Sequence, residues 1–326
     1  MPNPTFTDIH VNQPLTNISV AWIQEQKAFI ADQVFPSIAV QKQSDRYFVY
    51  LREDWYRDEA MKRIYGAESA GGGYGLDNTP TYFCDIWGYH KDVTAQDRAN
   101  SDTPLAPDED ATLFVSQKML LKREVEWASR FFATGIWGTE YTGAAATLGN
   151  ARKYWSSSGS APIQDVSDMQ IAIQAATGYK PNVLVLGPHV YADLRNHNDV
   201  LDRIKYTQKG IVTADLLATL FDVEKVVVAG AVKNASASGA VESTNFIIGK
   251  HALLAYVPAR PALRTPSAGY IMAWTGLEGA GAFGNRIAKL SMDWLGLGTT
   301  RIEGEMAFAC ELVASVLGGF FYGISQ

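Results

Sequence analysis

The chain has 326 residues, 47% hydrophobic and 19% charged, enough for one large or two ordinary domains with a proper core. With 28 Lys+Arg against 34 Asp+Glu its formal charge is -6. As a whole it repels phosphate polymers, which argues against a dedicated nucleic-acid binder. Two cysteines, Cys84 and Cys310, supply neither a disulfide framework nor a CxxC zinc site.

No run approaches the roughly 20 apolar residues of a membrane helix. The opening MPNPTFTDIHVNQPLTN lacks the basic-then-apolar order of a secretion signal, so synthesis in the cytoplasm is expected. Residues 1–42 read as an arm punctuated by Pro2, Pro4, Pro14 and Pro36. It holds one amphipathic candidate, NISVAWIQEQKAFIADQVFP, with Val20, Ile23, Phe29 and Ile30 near helical spacing. That segment cannot form a core alone and needs a larger body to lie against.

SDRYFVYLRED and TYFCDIWGYHKDVT follow, rich in residues that fit pleated strands and separated by GAESAGGGYGLDN. They predict a long antiparallel hairpin over 43–92 with a mobile tip at Gly71, Gly72 and Gly73. Aromatic residues lie at both parities, so both faces look apolar. Such a ribbon needs a covering surface, and the expected cover is another chain, met by Tyr47, Phe48, Val49, Phe83 and Trp87.

A helix is predicted over 111–133, with Asp108, Glu109 and Asp110 at its positive end. Phe114, Leu121, Val125, Ala128 and Phe132 form one stripe and Leu113, Leu120 and Trp127 a second, while Lys122, Glu126 and Arg130 are spaced for ion pairing. After a small, polar boundary segment, residues from about 161 read as a compact α/β unit. Pro188 suits a first helical turn, Thr213 suits an N-cap, and the strands Val183 to Leu186 and Val226 to Val228 look buried on both faces. Near the end, Ile302, Met306 and Phe308 alternate with Arg301, Glu303 and Glu305, as in a half-buried strand. The apolar ELVASVLGGFFYG predicts a final segment tucked into a sheet.

Chemistry finds little support. His189, Asp193 and His197 fall at i, i+4 and i+8, but Asn196, Asn198 and Asp199 break the helix at the third position, which leaves a solvated helix face. GGGYG at 71–75 lacks the strand-before, helix-after context of a dinucleotide loop. Gly249-Lys250 lacks the Gly and the Ser or Thr of a P-loop, with Thr244 and His251 in their places. Neither GxSxG nor HExxH occurs, and the five histidines stand singly. No catalytic, cofactor-binding or metal-ligating residue is assigned, and a non-enzymatic protein is expected.

The order of parts resembles the major capsid proteins of tailed bacteriophages, the Hong Kong 97-type fold. KMLLKREVEWASRFF resembles that family's spine helix, and residues 181–232 (PNVLVLG through VVVAGAV) resemble its axial domain. The resemblance implies an α+β chain divided into an N-terminal arm (1–42), an E-loop hairpin (43–92), a peripheral domain with the spine helix (93–160), an α/β axial domain (161–283) and returning strands (284–326). It implies a shell subunit that self-assembles into hexamers and pentamers around packaged double-stranded DNA, without sequence-specific binding or membrane contact. The protein would be made in the host bacterial cytoplasm and end in the virion. Expected partners are further copies, a scaffolding protein or activity, a portal and a decoration protein, and no cofactor is implied. Arg57, Lys62 and Arg63 are expected to be intersubunit or solvated charges. The alternatives are a bacterial nanocompartment shell of the same fold and, in a different class, an α/β enzyme with no recognisable motif.

Overall fold

The computed structural model describes residues 24–101, 105–204, 212–260, 265–277, 281 and 284–326. Val20 and Ile23 of the arm candidate lie outside them.

Two sheets organise the chain. The first has five strands. Its axis is the long strand Thr300–Leu312, flanked on one side by Asp85–Val93 and on the other by Gly269–Trp274 and Asn285–Ser291; Ser37–Val40 joins Gly269–Trp274 in parallel. Ile302, Met306 and Phe308 are buried, as their alternation with charged neighbours predicts. Gly304 lies in the same row, where an added Cβ would stand 2.6 Å from Cγ1 of Val115. Its missing side chain lets the long helix Pro107–Phe131 lie directly on the sheet.

That helix begins four residues before the predicted start, because Pro107 fits the first turn, where a missing N–H costs nothing. Its buried row is also displaced from the predicted stripes. Ala111, Val115, Arg123, Glu124, Trp127, Ala128 and Phe131 face inward, whereas Leu113 and Phe114 are exposed and Leu120, Leu121 and Val125 are half-buried. The displacement comes from the adjacent Arg123 and Glu124, which face inward to hold the arm.

The second sheet has six strands in the order Lys225–Val228, Val183–Leu186, Ala252–Ala255, Gly318–Tyr322, Thr139–Ala144, Ala151–Lys153. Helices Pro162–Thr177, Pro188–Asn196, Asn198–Ile204 and Ala214–Leu220 cover one face around Trp155, Met169, Leu184, Leu194 and Phe321. Pro188 opens its helix, and Thr213 caps the next but one by accepting the N–H of Leu216. Val183–Leu186 is buried throughout. Lys225–Val228 is an edge strand and only partly buried, against the expectation of two covered faces.

The two sheets do not divide the sequence where the predicted boundaries fall. Thr139–Ala144 and Ala151–Lys153, read with the spine helix, pair in the six-stranded sheet, whereas Gly269–Trp274, read with the α/β unit, pairs in the five-stranded one. Each finds an open strand edge there that its neighbours in sequence do not offer.

The main core lies between the sheets and under the long helix, and the arm completes it. In place of the predicted single helix, the chain makes a short 3-10 turn at Gln26–Ala28 and one α-turn at Ala31–Val34, then runs extended at Phe35, since a residue before proline is pushed out of the helical region. Ile30, Ala31, Val34 and Phe35 are buried against Trp127, Phe131, Val185, Leu253 and Met306. The Phe35 ring centroid is 4.4 Å from that of Phe131 and 6.0 Å from that of Trp127. Within the arm, the Gln24 side-chain amide both donates to and accepts from the Val232 backbone.

Candidate assembly surface

The predicted hairpin over 43–92 is shorter than its sequence suggests. Ser44–Arg46 pairs with Thr81–Phe83 and Val49–Tyr50 with Leu76–Asp77, both antiparallel. The run TYFCDIWGYHKDVT divides at Cys84, and its second half, Asp85–Val93, leaves the hairpin for the five-stranded sheet. A place beside the long strand Thr300–Leu312 supplies nine register partners that a two-stranded ribbon cannot.

Cys84 is buried with Tyr82, Tyr270 and Met272, while Cys310 packs against the main core on the other face. Both are free, and burial pushes their thiols up to about 11 and about 12.

This division separates the predicted interface residues. Tyr47 turns inward, half-buried against the cluster around Tyr82, Cys84 and Met272. Phe48 and Phe83 face outward, 68% and 56% exposed, and Val49 is half-buried. Gly71, Gly72 and Gly73 are exposed at the tip. Trp87 is a sheet residue instead of a hairpin residue. It packs against the main core with the Lys122 ammonium 3.9 Å from its ring centroid. Trp87→Ala is therefore expected to cost the isolated subunit about 2–3 kcal/mol, at the low end for a large-to-small change because the ring is only half covered. Chemical denaturation of unassembled protein measures this, and a cost below about 0.5 kcal/mol would return Trp87 to the intersubunit list.

The larger apolar surface lies beyond the second ladder, in the loop 51–75 that it closes. Tyr50, Trp55 and Tyr74 form a ring cluster at its neck, with centroids 5.7 to 5.9 Å apart. Asp54 accepts the Gly75 N–H at 2.8 Å and closes the neck. Beyond it, Met61, Ile64 and Tyr65 point into solvent, 80%, 76% and 106% exposed. Arg57 pairs with Asp54 and Glu59, and Arg63 donates to the Ala67 carbonyl, so these charges shape the loop locally. The Tyr56 hydroxyl donates to the Thr177 carbonyl, which rests the loop on the end of helix Pro162–Thr177.

A second exposed row, Ile287, Leu290, Trp294 and Leu297, runs along the edge strand Asn285–Ser291 and the turn after it. It borders an open groove of about 520 Å³ that reaches Leu113 and the start of the long helix. There Arg98 and Lys289 both bond Asp108, and the Arg98 guanidinium foremost holds its carboxyl below the usual range. Sequence reasoning missed Met61, Ile64, Tyr65 and Trp294. Their signal is a large apolar side chain in a stretch with no periodicity and no partner strand.

The histidines on and after the helix Pro188–Asn196 have structural places. His197 ends its helix, with Nε2 2.9 Å from Ser160 Oγ and Nδ1 accepting the Asp199 N–H. The His189 ring meets Phe246 edge-on.

Residues 140–256 match the family model described as Phage major capsid protein E. A 120-residue stretch is 35% identical to the major capsid protein of Burkholderia phage BcepMu, covering 36% of this chain and 37% of that relative. The chain thus aligns with little more than a third of that protein's length. Among solved structures, a phage-related protein from Bordetella bronchiseptica superposes with a TM-score of 0.68 at 20% identity, over 92% of this chain and 94% of that one. The capsid protein of cyanophage P-SCSP1u gives 0.62 at 10%, over 98% and 94%.

This is the Hong Kong 97-type capsid fold. The sequence match lies within the six-stranded sheet and its helices, and the structural match extends over nearly the whole chain. The Hong Kong 97-type fold is also close to that of the SrpI encapsulin complex from Synechococcus elongatus, with a TM-score of 0.57 at 11% identity over 96% of this chain and 95% of that one.

Proposed function

We propose that the protein is a structural subunit of a tailed-phage shell, located in the virion, and that its work is association with copies of itself. The observation that carries this reading is the bare apolar surface from Phe48 to Phe83, held out on a two-ladder neck by a chain with the capsid fold. Contiguous exposed apolar surface of this kind marks an interaction site. Burying one such side chain is worth about 1.5–3 kcal/mol, while association costs about 4–15 kcal/mol. Single contacts are therefore weak, and stability comes from the many neighbours each subunit gains in a closed lattice.

In this reading the five-stranded sheet with the long helix is the peripheral domain and the six-stranded sheet with its helices the axial domain, the latter meeting its copies around the axes of hexamers and pentamers. The segment 43–84 is the E-loop and lies over a neighbouring subunit. A net charge of -6 suits a container whose contents are double-stranded DNA, since a wall that bound phosphate tightly would hold the polymer during filling. A scaffolding protein or activity and a portal are the further partners of this function, with a decoration protein as an optional one.

Light scattering and negative-stain microscopy of the purified protein test the proposal. Closed shells, tubes, hexamers or pentamers are expected, and a monomer or dimer that stays small when concentrated would overturn it. The encapsulin likeness supports a second reading, a bacterial nanocompartment. Co-purifying DNA against a co-purifying cargo enzyme separates the two.

A further inference from the structure

Glu124 lies midway along the long helix, 1% exposed. Its Oε2 accepts the backbone N–H groups of both Ile30 and Ala31 at 3.0 Å, at the start of the arm's α-turn, where donors lack partners within the helix. Its Oε1 is buried with no hydrogen-bond partner. The preceding residue, Arg123, is equally buried. It donates to Ser37 Oγ at 2.8 Å and pairs with Asp32 at 2.5 Å. Two adjacent charged side chains thus face the core and hold the arm at four positions. An apolar pair would fill the space without the cost of burying charge.

We propose that Glu124 is a proton-linked latch for the N-terminal arm, closed when its carboxyl is protonated and loosened when it ionises. A proton on Oε1 removes the buried charge and leaves Oε2 free to accept both N–H groups, so the contacts seen here survive protonation. Burial drives the carboxyl up to about 7 from 4.5, opposed by the two N–H bonds and Arg123 and reinforced by Asp32. Released to solvent, the same group returns to its ordinary value. The docked arm therefore binds the proton more tightly. Docking is strongest below the released value of 4.5, weakens as pH rises through about 7, and then levels off. Over its full span the shift corresponds to a change in the docking equilibrium on the order of a hundredfold or more.

Other groups face this site. Asp32 comes from the arm, and Arg123 and Glu126 from the long helix. The strand Thr300–Leu312 supplies Cys310, whose thiol is pushed up to about 12, and Glu311, raised by burial and paired with Arg130. From the six-stranded sheet, Lys225 donates to the Gln33 carbonyl, and burial lowers its ammonium. Glu311 shifts in the same direction as Glu124, so it must be separated by its own variant.

Hydrogen exchange of the full chain, read by mass spectrometry between about pH 5.5 and about pH 8 and corrected for the intrinsic rate, follows residues 28–36 against the core strand 182–187. In the wild type, protection of 28–36 relative to the core strand is expected to fall on the order of tenfold or more as pH rises from about 5.5, and to level off near 7. Glu124→Gln should flatten the curve and keep the arm more protected than wild type at about pH 8, while Glu311→Gln should leave the fall in place. A flat wild-type curve, an undiminished fall in Glu124→Gln, or a fall abolished by Glu311→Gln would each overturn the latch. If Glu124→Gln does not fold, Asp32→Asn serves instead. Removing a charge that raises the Glu124 carboxyl should make the fall level off at lower pH, and an unmoved levelling point would also overturn it.

Discussion

For the shell subunit proposed above, replacing Met61, Ile64 and Tyr65 together by serine is expected to abolish assembly, while the unassembled subunit keeps its stability within about 0.5 kcal/mol. These side chains contact solvent almost exclusively, so their loss leaves no internal cavity. If each contributes about 1 kcal/mol to a contact with a neighbour after ordering costs, one contact weakens by about 3 kcal/mol, more than a hundredfold. The effect multiplies over the contacts of a lattice. Sedimentation velocity across a concentration series measures it, beside thermal unfolding of the small species. A triple variant that assembles at wild-type concentrations would show that the loop tip is not part of the contact.

Phe35→Ala should have the opposite signature, a large loss of subunit stability. Phe35 is fully buried between Phe131 and Trp127, where the arm closes the main core. Truncating such a ring costs about 3–5 kcal/mol through lost transfer energy and the remaining cavity, a large part of the 5–15 kcal/mol that typically separates folded from unfolded domains. Urea unfolding of the unassembled subunit gives the number. A cost near 1 kcal/mol would mean that the arm lies over a core already complete without it.

The features legible in the sequence were those set by near neighbours. The apolar run Val183–Leu186, Pro188 at a helix start, Thr213 as a cap and the alternation around Met306 each rest on a few consecutive residues, and the structure has all of them. Lys122 and Glu126 pair as their spacing predicts, but Arg130 reaches across to Glu311 instead. The partners of Asp85–Val93 lie more than 200 residues away, and no local period encodes that distance. Arg123 and Glu124 were hidden for another reason: charged residues on a helix read as a solvated face, and only the arm's backbone and Asp32 explain their burial. At the loop, Phe48 and Phe83 are exposed while Trp87 packs half-buried against the main core, a difference set by the strand partner of Asp85–Val93 and not by residue type.

The position of Gly318–Tyr322 has a consequence for the newly made chain. This strand lies inside the six-stranded sheet, between Ala252–Ala255 and Thr139–Ala144, so the two parts of the sheet have no ladder between them until it arrives. At about 5–20 residues per second, the ribosome needs about 10–35 s after making Ala144 to reach it. A nascent chain therefore exposes its hairpin long before it has a finished body to present it. Ribosomes translating one message side by side hold such chains close together, and for a shell subunit as proposed the late strand delays the moment when any of them becomes competent to join a lattice.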